Sequence, residues 1–424
     1  MPRPSPLAQS VPPSGIRRIF ELAQTLDDVI ALSVGEPEVA VAPHVLAAGA
    51  DAWEQDVTNY TANSGIAPLR AALAAKLASF NGYTGGADHV HVTAGGSQAL
   101  HLAMTLTLSP GDEILIPDPG YSTFAMAPRL VGAVPVPYTL TVADAFVPDV
   151  DRLDSLVTER TRVLLVNSPS NPLGVVYPPE VVDALVAFAR RHDLWIISDE
   201  VYEYLTFGLP FTSVLAAAPE RTVGVFSLSK TYALTGARIG YLVTPPPLTP
   251  LFGPANEAIV SCVNAPAQYA ALAAVTGPQD AVEAARATYA ANLAAARELL
   301  DARGIPYLRS DGAFYLWIDV SHASGGDVSS WAERFLVAER VAVAPGSASI
   351  SLCLNMVPSG ERRNSIAAFL DTPCVSNVFA SEMSAALRAL KSFDTKPSLM
   401  SVPRINDGLG VGNQLFFLRA APSP

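Results

Sequence analysis

Short apolar runs alternate with stretches of helical periodicity from about residue 88 to residue 243. This alternation is typical of βαβ units, which form a mostly parallel sheet with helices on its faces. Several runs are apolar throughout, as strands buried on both faces should be. The predicted strands are residues 89–93, 113–116, 162–166, 194–198, 222–227 and 238–243. The pattern therefore predicts an α/β fold.

The length of the chain allows two domains, because single hydrophobic cores stop growing at about 250–300 residues and the sequence has 424. A proline-rich break at residues 245–250 ends the alternation. Helices are predicted at residues 179–192 and 281–303, the second with Gly304 at its C′ position. We predict four segments: an N-terminal segment (1–45) packing with the small domain, a large domain (46–280), a small α/β domain (281–370) and an atypical tail (371–424).

Within the small domain, residues 313–320 and 341–344 are predicted strands around a helix near residues 329–339. The tail departs from any clear periodicity, although residues 381–391 have the pattern of a short helix. We therefore assign no fold to most of the tail.

Charge and composition exclude several classes of protein. Half of the residues are hydrophobic, the net charge is −12 and no basic run stands out, so we expect no nucleic-acid partner. Cys262, Cys353 and Cys374 lack the spacing of a disulfide framework or metal site, which favours a reducing, cytoplasmic location and no metal. No run reaches the ~18 apolar residues of a membrane span, and residues 1–15 lack an apolar signal core.

Polar residues follow four of the predicted strands. Ligands of open α/β sheets bind beyond the carboxyl ends of the strands, so one ligand that touches all four loops would explain these residues together. The loops contain Gly95-Gly96-Ser97, the residues from Asn167 to Gly174, Asp199, and Ser229-Lys230.

Each of these motifs also has a simpler explanation. Gly95-Gly96-Ser97 at a helix start could direct backbone N–H groups at a phosphate, or Ser97 could be an ordinary N-cap. Asp199 could meet a cationic ligand, cap the next helix, or pair with Arg238. A desolvated Lys230 near a cation would be nucleophilic, yet most lysines are simply solvated.

These motifs taken together indicate a family more specifically than any one of them does alone. In order and spacing it resembles the fold-type I pyridoxal 5′-phosphate (PLP) enzymes of the aminotransferase class I/II family, over about residues 15–352. That resemblance implies the PLP-dependent transferase fold, with a large domain around a mostly parallel sheet and a smaller α/β domain. The matching residues are Asn171, Asp199, Tyr202, Ser227, Lys230 and Arg238.

The resemblance implies a role for each matched residue. Lys230 would hold PLP as a Schiff base, and Asp199 would pair with the pyridine nitrogen and so preserve the electron sink of the cofactor. Tyr202 and Asn171 would hydrogen-bond the ring oxygen. Lys230, Asp199 and Tyr202 are thus the predicted catalytic residues.

The same resemblance identifies further cofactor contacts. Tyr121 would stack on the ring, although an isolated Tyr after a strand is more often core. Tyr60 matches a tyrosine that reaches the phosphate site of the neighbouring subunit, which implies a homodimer. The phosphate would be held by Gly95, Gly96, Ser97, Ser227 and Arg238.

For the substrate, Gly35 lies in a segment, residues 33–37, that resembles the one covering the substrate in the family, and Asn171 would also contact it. The Gly-Glu-Pro sequence there is most similar to the branch acting on aromatic, aspartate or alanine-type substrates. The implied reaction is a ping-pong transfer of an amino group between an L-amino acid and a 2-oxo acid, with Lys230 as general acid and base.

One part of the family pattern is missing. Ser349 stands where the family has an arginine that clamps the substrate carboxylate, and the register places neither Arg362 nor Arg363 there. Four hypotheses therefore stand beside an ordinary transaminase: a divergent enzyme with another partner for the substrate carboxylate, a carbon–sulfur lyase or other PLP reaction, a PLP-binding chain with impaired catalysis, and a non-catalytic PLP-binding module. The last is disfavoured because Lys230, Asp199 and Tyr202 are all present.

Overall fold

The computed structural model describes residues 2–37 and 39–346, together with the backbone of the strand at residues 351–355. Its strands are β1 Ile30–Ala31, β2 Val90–Thr93, β3 Glu113–Asp118, β4 Val134–Thr139, β5 Thr161–Asn167, β6 Trp195–Asp199, β7 Thr222–Ser227, β8 Gly240–Val243, β9 Tyr315–Asp319, β10 Val341–Ala342, β11 Ala344–Pro345 and β12 Ser351–Asn355.

The helices fill the sequence between these strands. They are α1 Pro6–Ser10, α2 Gly15–Ala23, α3 Pro43–Glu54, α4 Ala67–Lys76, α5 Gly95–Thr107, α6 Ser122–Leu130, α7 Val150–Asp154, α8 Pro179–Arg191, α9 Val214–Ala217, α10 Leu228–Thr231, α11 Thr249–Glu257, α12 Ala265–Thr276, α13 Asp280–Asp301, α14 Ser321–Ser324 and α15 Val328–Glu339. A π-helical turn, Leu77–Asn81, continues α4, and 3-10 turns occur at Ala87–His89 and Val142–Asp144.

A seven-stranded sheet forms the centre of the molecule, in the order β2-β8-β7-β6-β5-β3-β4. All neighbours are parallel except β8, which is antiparallel to both β2 and β7. The inner strands β5, β6 and β7 are almost completely buried, because helices cover both faces of a parallel sheet. The predicted α/β fold is confirmed.

The edge strand β4 is one element that the sequence pattern did not predict. It contains Pro135 and Pro137, and its residues Val134 and Thr139 are exposed. Proline cannot donate a ladder hydrogen bond, so in sheets it is tolerated at edges and argues against a central strand. A prediction from hydrophobic periodicity therefore misses an edge strand of this kind. The predicted strand at 238–243 is also shorter, because Arg238 adopts a φ of 51° and β8 begins at Gly240.

The helices α8 and α13 occupy the predicted ranges to within two residues. The end of α13 also follows the prediction. The N–H of Ile305 donates to Leu300 O and that of Gly304 to Asp301 O, both at 3.1 Å. This is the hydrogen-bond pair of a Schellman motif, with Gly304 at C′ and a φ of 64°.

A second, smaller group of elements lies beside the sheet. Strands β11, β12 and β9 form an antiparallel sheet, and α15 packs on α2 and β10. The N-terminal segment joins this group, because β1 pairs in parallel with β10 and Arg18 forms a 2.7 Å ion pair with Glu333. The boundaries at residues 45, 280 and 370 stay predictions.

Several features singled out in the sequence lie outside the described residues. They are Ser349, Arg362, Arg363, the side chains of Cys353 and Cys374, and the tail from residue 371 with its short predicted helix.

The aromatic side chains on α15 offer a test of the packing around that helix. Phe335 is 0% exposed and stacks on Trp331 with ring centroids 4.8 Å apart, whereas Val337 on the same helix is 41% exposed. We expect Phe335→Ala to lower the free energy of unfolding by about 3–5 kcal/mol, since it removes packing and leaves a cavity. Val337→Ala should change it by less than about 0.5 kcal/mol. Urea unfolding followed by tryptophan fluorescence measures both, and equal effects would contradict the assigned packing.

Candidate active site

The carboxyl ends of the inner strands bring the predicted residues to one edge of the sheet. Asn167 ends β5 and is the register partner of Asp199, which ends β6. The Asn167 side-chain amide donates to the backbone oxygen of Asp199 at 3.1 Å and its carbonyl accepts from the N–H of Asn171 at 2.7 Å. Asn167 therefore ties the loop containing Asn171 to the end of β6, a role that the sequence pattern did not assign.

The glycines at the start of α5 allow Arg238 and Ser227 to approach the backbone closely. Gly95 has a φ of 79°, and a methyl group there would lie 2.7 Å from Nη2 of Arg238. A methyl group on Gly96 would lie 3.5 Å from Cβ of Ser227. Ser227 caps α10 by accepting the N–H of Ser229 at 3.1 Å. Four of the predicted phosphate contacts, Gly95, Gly96, Ser227 and Arg238, thus lie close together.

Ser97 does not cap this helix, so the N-cap interpretation was wrong. The cap position is Ala94, whose N–H donates to the side chain of Gln98 at 2.5 Å. The helix begins at Gly95, so Ser97 is its third residue, and its side chain is exposed. A phosphate contact from Ser97 stays a prediction.

Lys230 lies in the single turn α10, directly after β7. Its amine donates a hydrogen bond to the backbone oxygen of Gly35 and lies 5.7 Å from the centroid of the Phe314 ring. Burial lowers the pKa of Lys230 to about 8, which Arg238 also favours, while Glu36 and Asp199 act in the opposite direction. The amine is therefore partly neutral near physiological pH.

Asp199 is a buried carboxylate, 5% exposed. Burial raises its pKa to about 7, against the opposing effects of a 3.3 Å hydrogen bond from the Val201 N–H and the charge of Lys230. Among the ion pairs of the described residues, none joins Asp199 to Arg238, so that alternative is not realised. A cationic group placed against Asp199 would stabilise its ionised form.

Tyr202 joins the sheet edge to the small domain. Its hydroxyl hydrogen-bonds with that of Tyr315, and its ring lies edge-to-face on Phe314 at 5.5 Å. Burial, followed by Tyr315, raises the pKa of Tyr202 well above its usual value. A methyl group on Gly35 would lie 2.6 Å from the Tyr315 hydroxyl oxygen. The sequence pattern predicts only that Phe314 and Tyr315 lie in a strand, and it gives neither residue a place in the site.

Two other predicted cofactor contacts, Tyr121 and Tyr60, have different positions relative to Lys230, Asp199 and Tyr202. Tyr121 is partly buried, packs edge-to-face on Phe124 at 5.6 Å, and is close enough to Tyr202 to raise the pKa of that phenol. Tyr60 is 92% exposed, so in the single chain the structure does not bring it into the site.

Neither a metal cluster nor a membrane helix occurs in the part of the chain that the structure describes. No group of three or more His, Cys, Asp or Glu side chains there could hold a metal ion. Within the same ranges, no helix has the length and apolar character needed to cross a membrane.

The site defines a class of protein: an α/β enzyme with a buried, partly neutral lysine amine beside a buried carboxylate, an arrangement suited to covalent chemistry at a carbonyl group. The sequence profile of the family described as aminotransferase class I and II matches residues 27–366. The chain therefore belongs to this family, whose members are PLP-dependent, and it is an aminotransferase.

Individual relatives are consistent with this assignment. The chain is 37% identical over 333 residues to the probable aspartate/prephenate aminotransferase of Thermus aquaticus, covering 78% of this chain and 86% of that protein. It is 33% identical over 346 residues to aromatic-amino-acid aminotransferase 2 of Thermococcus litoralis, covering 80% and 89%. The solved structure of the Thermus thermophilus aspartate aminotransferase with maleate is similar with a TM-score of 0.82, at 33% identity and 93% and 99% coverage. Nothing in these similarities favours the carbon–sulfur lyase alternative.

Because burial raises the pKa of Asp199, the free-energy cost of burying its carboxylate depends on pH. The folded pKa of about 7 exceeds the reference value of 3.8, so between those pH values the folded chain binds a proton that the unfolded chain releases. Stability therefore falls as pH rises through this window. In protein stripped of bound small molecules, Asp199→Asn should raise the free energy of unfolding at pH 8 by on the order of 3 kcal/mol, with little change near pH 4.

Urea unfolding at several pH values measures this difference. Asp183→Asn, at an exposed position on α8, is the matched control and should leave the pH dependence unchanged. An Asp199→Asn variant that is no more stable than the native chain at pH 8 would show that Asp199 carries no such burial cost.

Proposed function

We propose that this aminotransferase moves an amino group between an L-amino acid and a 2-oxo acid by a ping-pong mechanism, with PLP bound at Lys230. The observation that carries the proposal is the buried Lys230 amine beside the buried Asp199 carboxylate at the carboxyl edge of the sheet. When bound, PLP supplies an electron sink for the substrate Cα.

The residues of the site fit this cofactor. A carboxylate whose pKa is raised by burial, as that of Asp199 is, gains most from a protonated ring nitrogen as its partner. Tyr202 and Asn171 would donate to the ring oxygen, and Tyr121 would stack on the ring. The absence of a side chain at Gly95 lets the guanidinium of Arg238 approach this turn closely, and Arg238 would bind the phosphate there. Gly96, Ser97 and Ser227 would complete the phosphate site.

Lys230 would also move the proton of the reaction. Once substrate frees its amine, a pKa of about 8 lets the amine accept a proton from Cα and return it near neutral pH, because acid–base catalysis is most efficient when the pKa is close to the operating pH. Gly35, whose carbonyl contacts this amine, places the N-terminal segment over the substrate.

The substrates that we propose are aspartate-like or aromatic amino acids with their 2-oxo acid counterparts. The support comes from the activities named for the Thermus and Thermococcus relatives, which are 37% and 33% identical to this chain. We place the reaction in the cytoplasm, consistent with the free thiol of Cys262.

We further propose a homodimer in which Tyr60 completes the phosphate site of the partner subunit. Tyr60 is 92% exposed, and the loop that carries it is held by a 3.4 Å hydrogen bond from the Thr61 N–H to Cys262 Sγ. Exposed apolar groups of this kind favour an interface. Further exposed hydrophobic side chains lie on α3, α12 and the turn after α11: Leu46, Trp53, Ile259, Val260 and Tyr269.

The cofactor proposal is tested by absorbance spectroscopy of the full chain with PLP. We expect a visible band that is absent in Lys230→Ala and that changes on addition of the correct amino acid, with stoichiometric release of its 2-oxo acid. A panel of amino acids then identifies the donor. A normal band that no amino acid alters would support impaired catalysis, the alternative raised by Ser349, and no Lys230-dependent band would reject the proposal.

The shared site is tested by complementation. Lys230→Ala and Tyr60→Ala chains carrying different affinity tags are co-expressed, and the mixed dimer is isolated with both tags. One of its two sites then has Lys230 from one chain and Tyr60 from the other. We expect about half of the native activity, since a two-fold dimer has two equivalent sites. Activity no greater than that of the two parent homodimers would contradict sharing of Tyr60.

A further inference from the structure

Gly35 and Glu36, two consecutive residues of the N-terminal segment, are both held by one short stretch of the chain, residues 230–235. The Lys230 amine donates to Gly35 O, and the Thr235 hydroxyl donates to a carboxylate oxygen of Glu36 at 2.6 Å. Neither Glu36 nor Thr235 is a residue to which the sequence pattern gave a role. The two contacts fix the segment at adjacent positions above Lys230.

Thr235 also contacts the predicted phosphate residue. Its backbone oxygen accepts a hydrogen bond from Nη1 of Arg238 at 2.9 Å. The same threonine therefore binds Arg238 through its backbone and the N-terminal segment through its side chain. A displacement of Thr235 would disturb both contacts.

The other side of the segment has little freedom to move. The Tyr315 hydroxyl oxygen lies 2.6 Å from where a methyl group on Gly35 would be, and the N–H of Glu36 donates to Val34 O at 2.9 Å in a tight turn. Because Gly35 and Glu36 share a peptide group, the hydrogen bond that holds the Glu36 side chain also restricts the movement of the Gly35 carbonyl.

Glu36 also acts on Lys230 through its charge. Its carboxylate raises the pKa of Lys230, against the larger lowering caused by burial. The other charged groups that face the amine are Asp199, which raises the pKa, and Arg238, which lowers it. Removing the charge of Glu36 therefore lowers the pKa of the free amine.

We propose that Glu36 and Thr235 are positioning residues that fasten the segment at residues 33–37 over Lys230 and thereby set substrate affinity. The inference rests on the proposed function of the site. Hydrogen bonds to ionised groups contribute more to stability than neutral ones, so the Thr235 contact with Glu36 adds to the hold of the Lys230 amine on this segment.

Three variants of the full chain separate the hydrogen bond from the charge. Thr235→Val removes the hydroxyl and keeps the carboxylate, Thr235→Ser restores a hydroxyl, and Glu36→Gln keeps an acceptor oxygen without the charge. Hydrogen–deuterium exchange of residues 30–37, the KM for the amino acid and the pH profile of kcat are measured for each.

We expect Thr235→Val to speed exchange of residues 30–37 by about fivefold or more and to raise KM about tenfold, with the pH profile unmoved. Thr235→Ser should return both quantities close to native. Glu36→Gln keeps a neutral hydrogen bond, so its exchange rate and KM should lie between those of the native chain and Thr235→Val, and the Lys230 limb of the kcat profile should move to lower pH.

Native exchange and KM in Thr235→Val, or a Thr235→Ser variant as impaired as Thr235→Val, would overturn the proposal. An unmoved pH profile in Glu36→Gln would overturn its electrostatic part. These results are distinct from failure of the proposed function, which the Lys230-dependent absorbance band reports. Exchange at residues 30–37 is measurable even if no band forms.

Discussion

The burial of Lys230 and Asp199 at the carboxyl edge of the sheet is the constraint on which the rest of the site depends. Asp199 continues a strand that is buried on both faces, and burial raises its pKa to about 7 while lowering that of Lys230 to about 8. Both pKa values therefore lie near neutral pH, where each group can gain or lose a proton. Such opposite shifts are typical of sites that use ionisable groups for chemistry.

The smaller group of elements completes this site from the other side. Tyr315 on β9 bonds Tyr202, and Phe314 lies beneath the Lys230 amine. The N-terminal segment reaches the same point because β1 pairs in parallel with β10 before the chain continues to Gly35, which contacts the Lys230 amine. The residues proposed to contact substrate and cofactor therefore come from parts of the chain that are distant in sequence.

The inner sheet could be predicted because its strands are buried on both faces and hence apolar throughout. The positions of Asp199 and Lys230 followed, since each comes directly after such a strand. Strand β4 could not be predicted in this way, because its prolines and exposed residues lack the period of an inner strand. The prediction of a Ser97 cap was wrong because the helix begins two residues upstream, at Gly95.

The sequence alone determined the α/β class, the order of the inner strands along the chain and the chemical groups at their ends, because local periodicity and residue type encode these features. Only the tertiary structure decided that Tyr315 meets Tyr202, 113 positions away, and that Thr235 meets Glu36, 199 positions away. Contacts across such separations depend on how the two structural groups pack together. A single sequence carries no periodic signal for that packing.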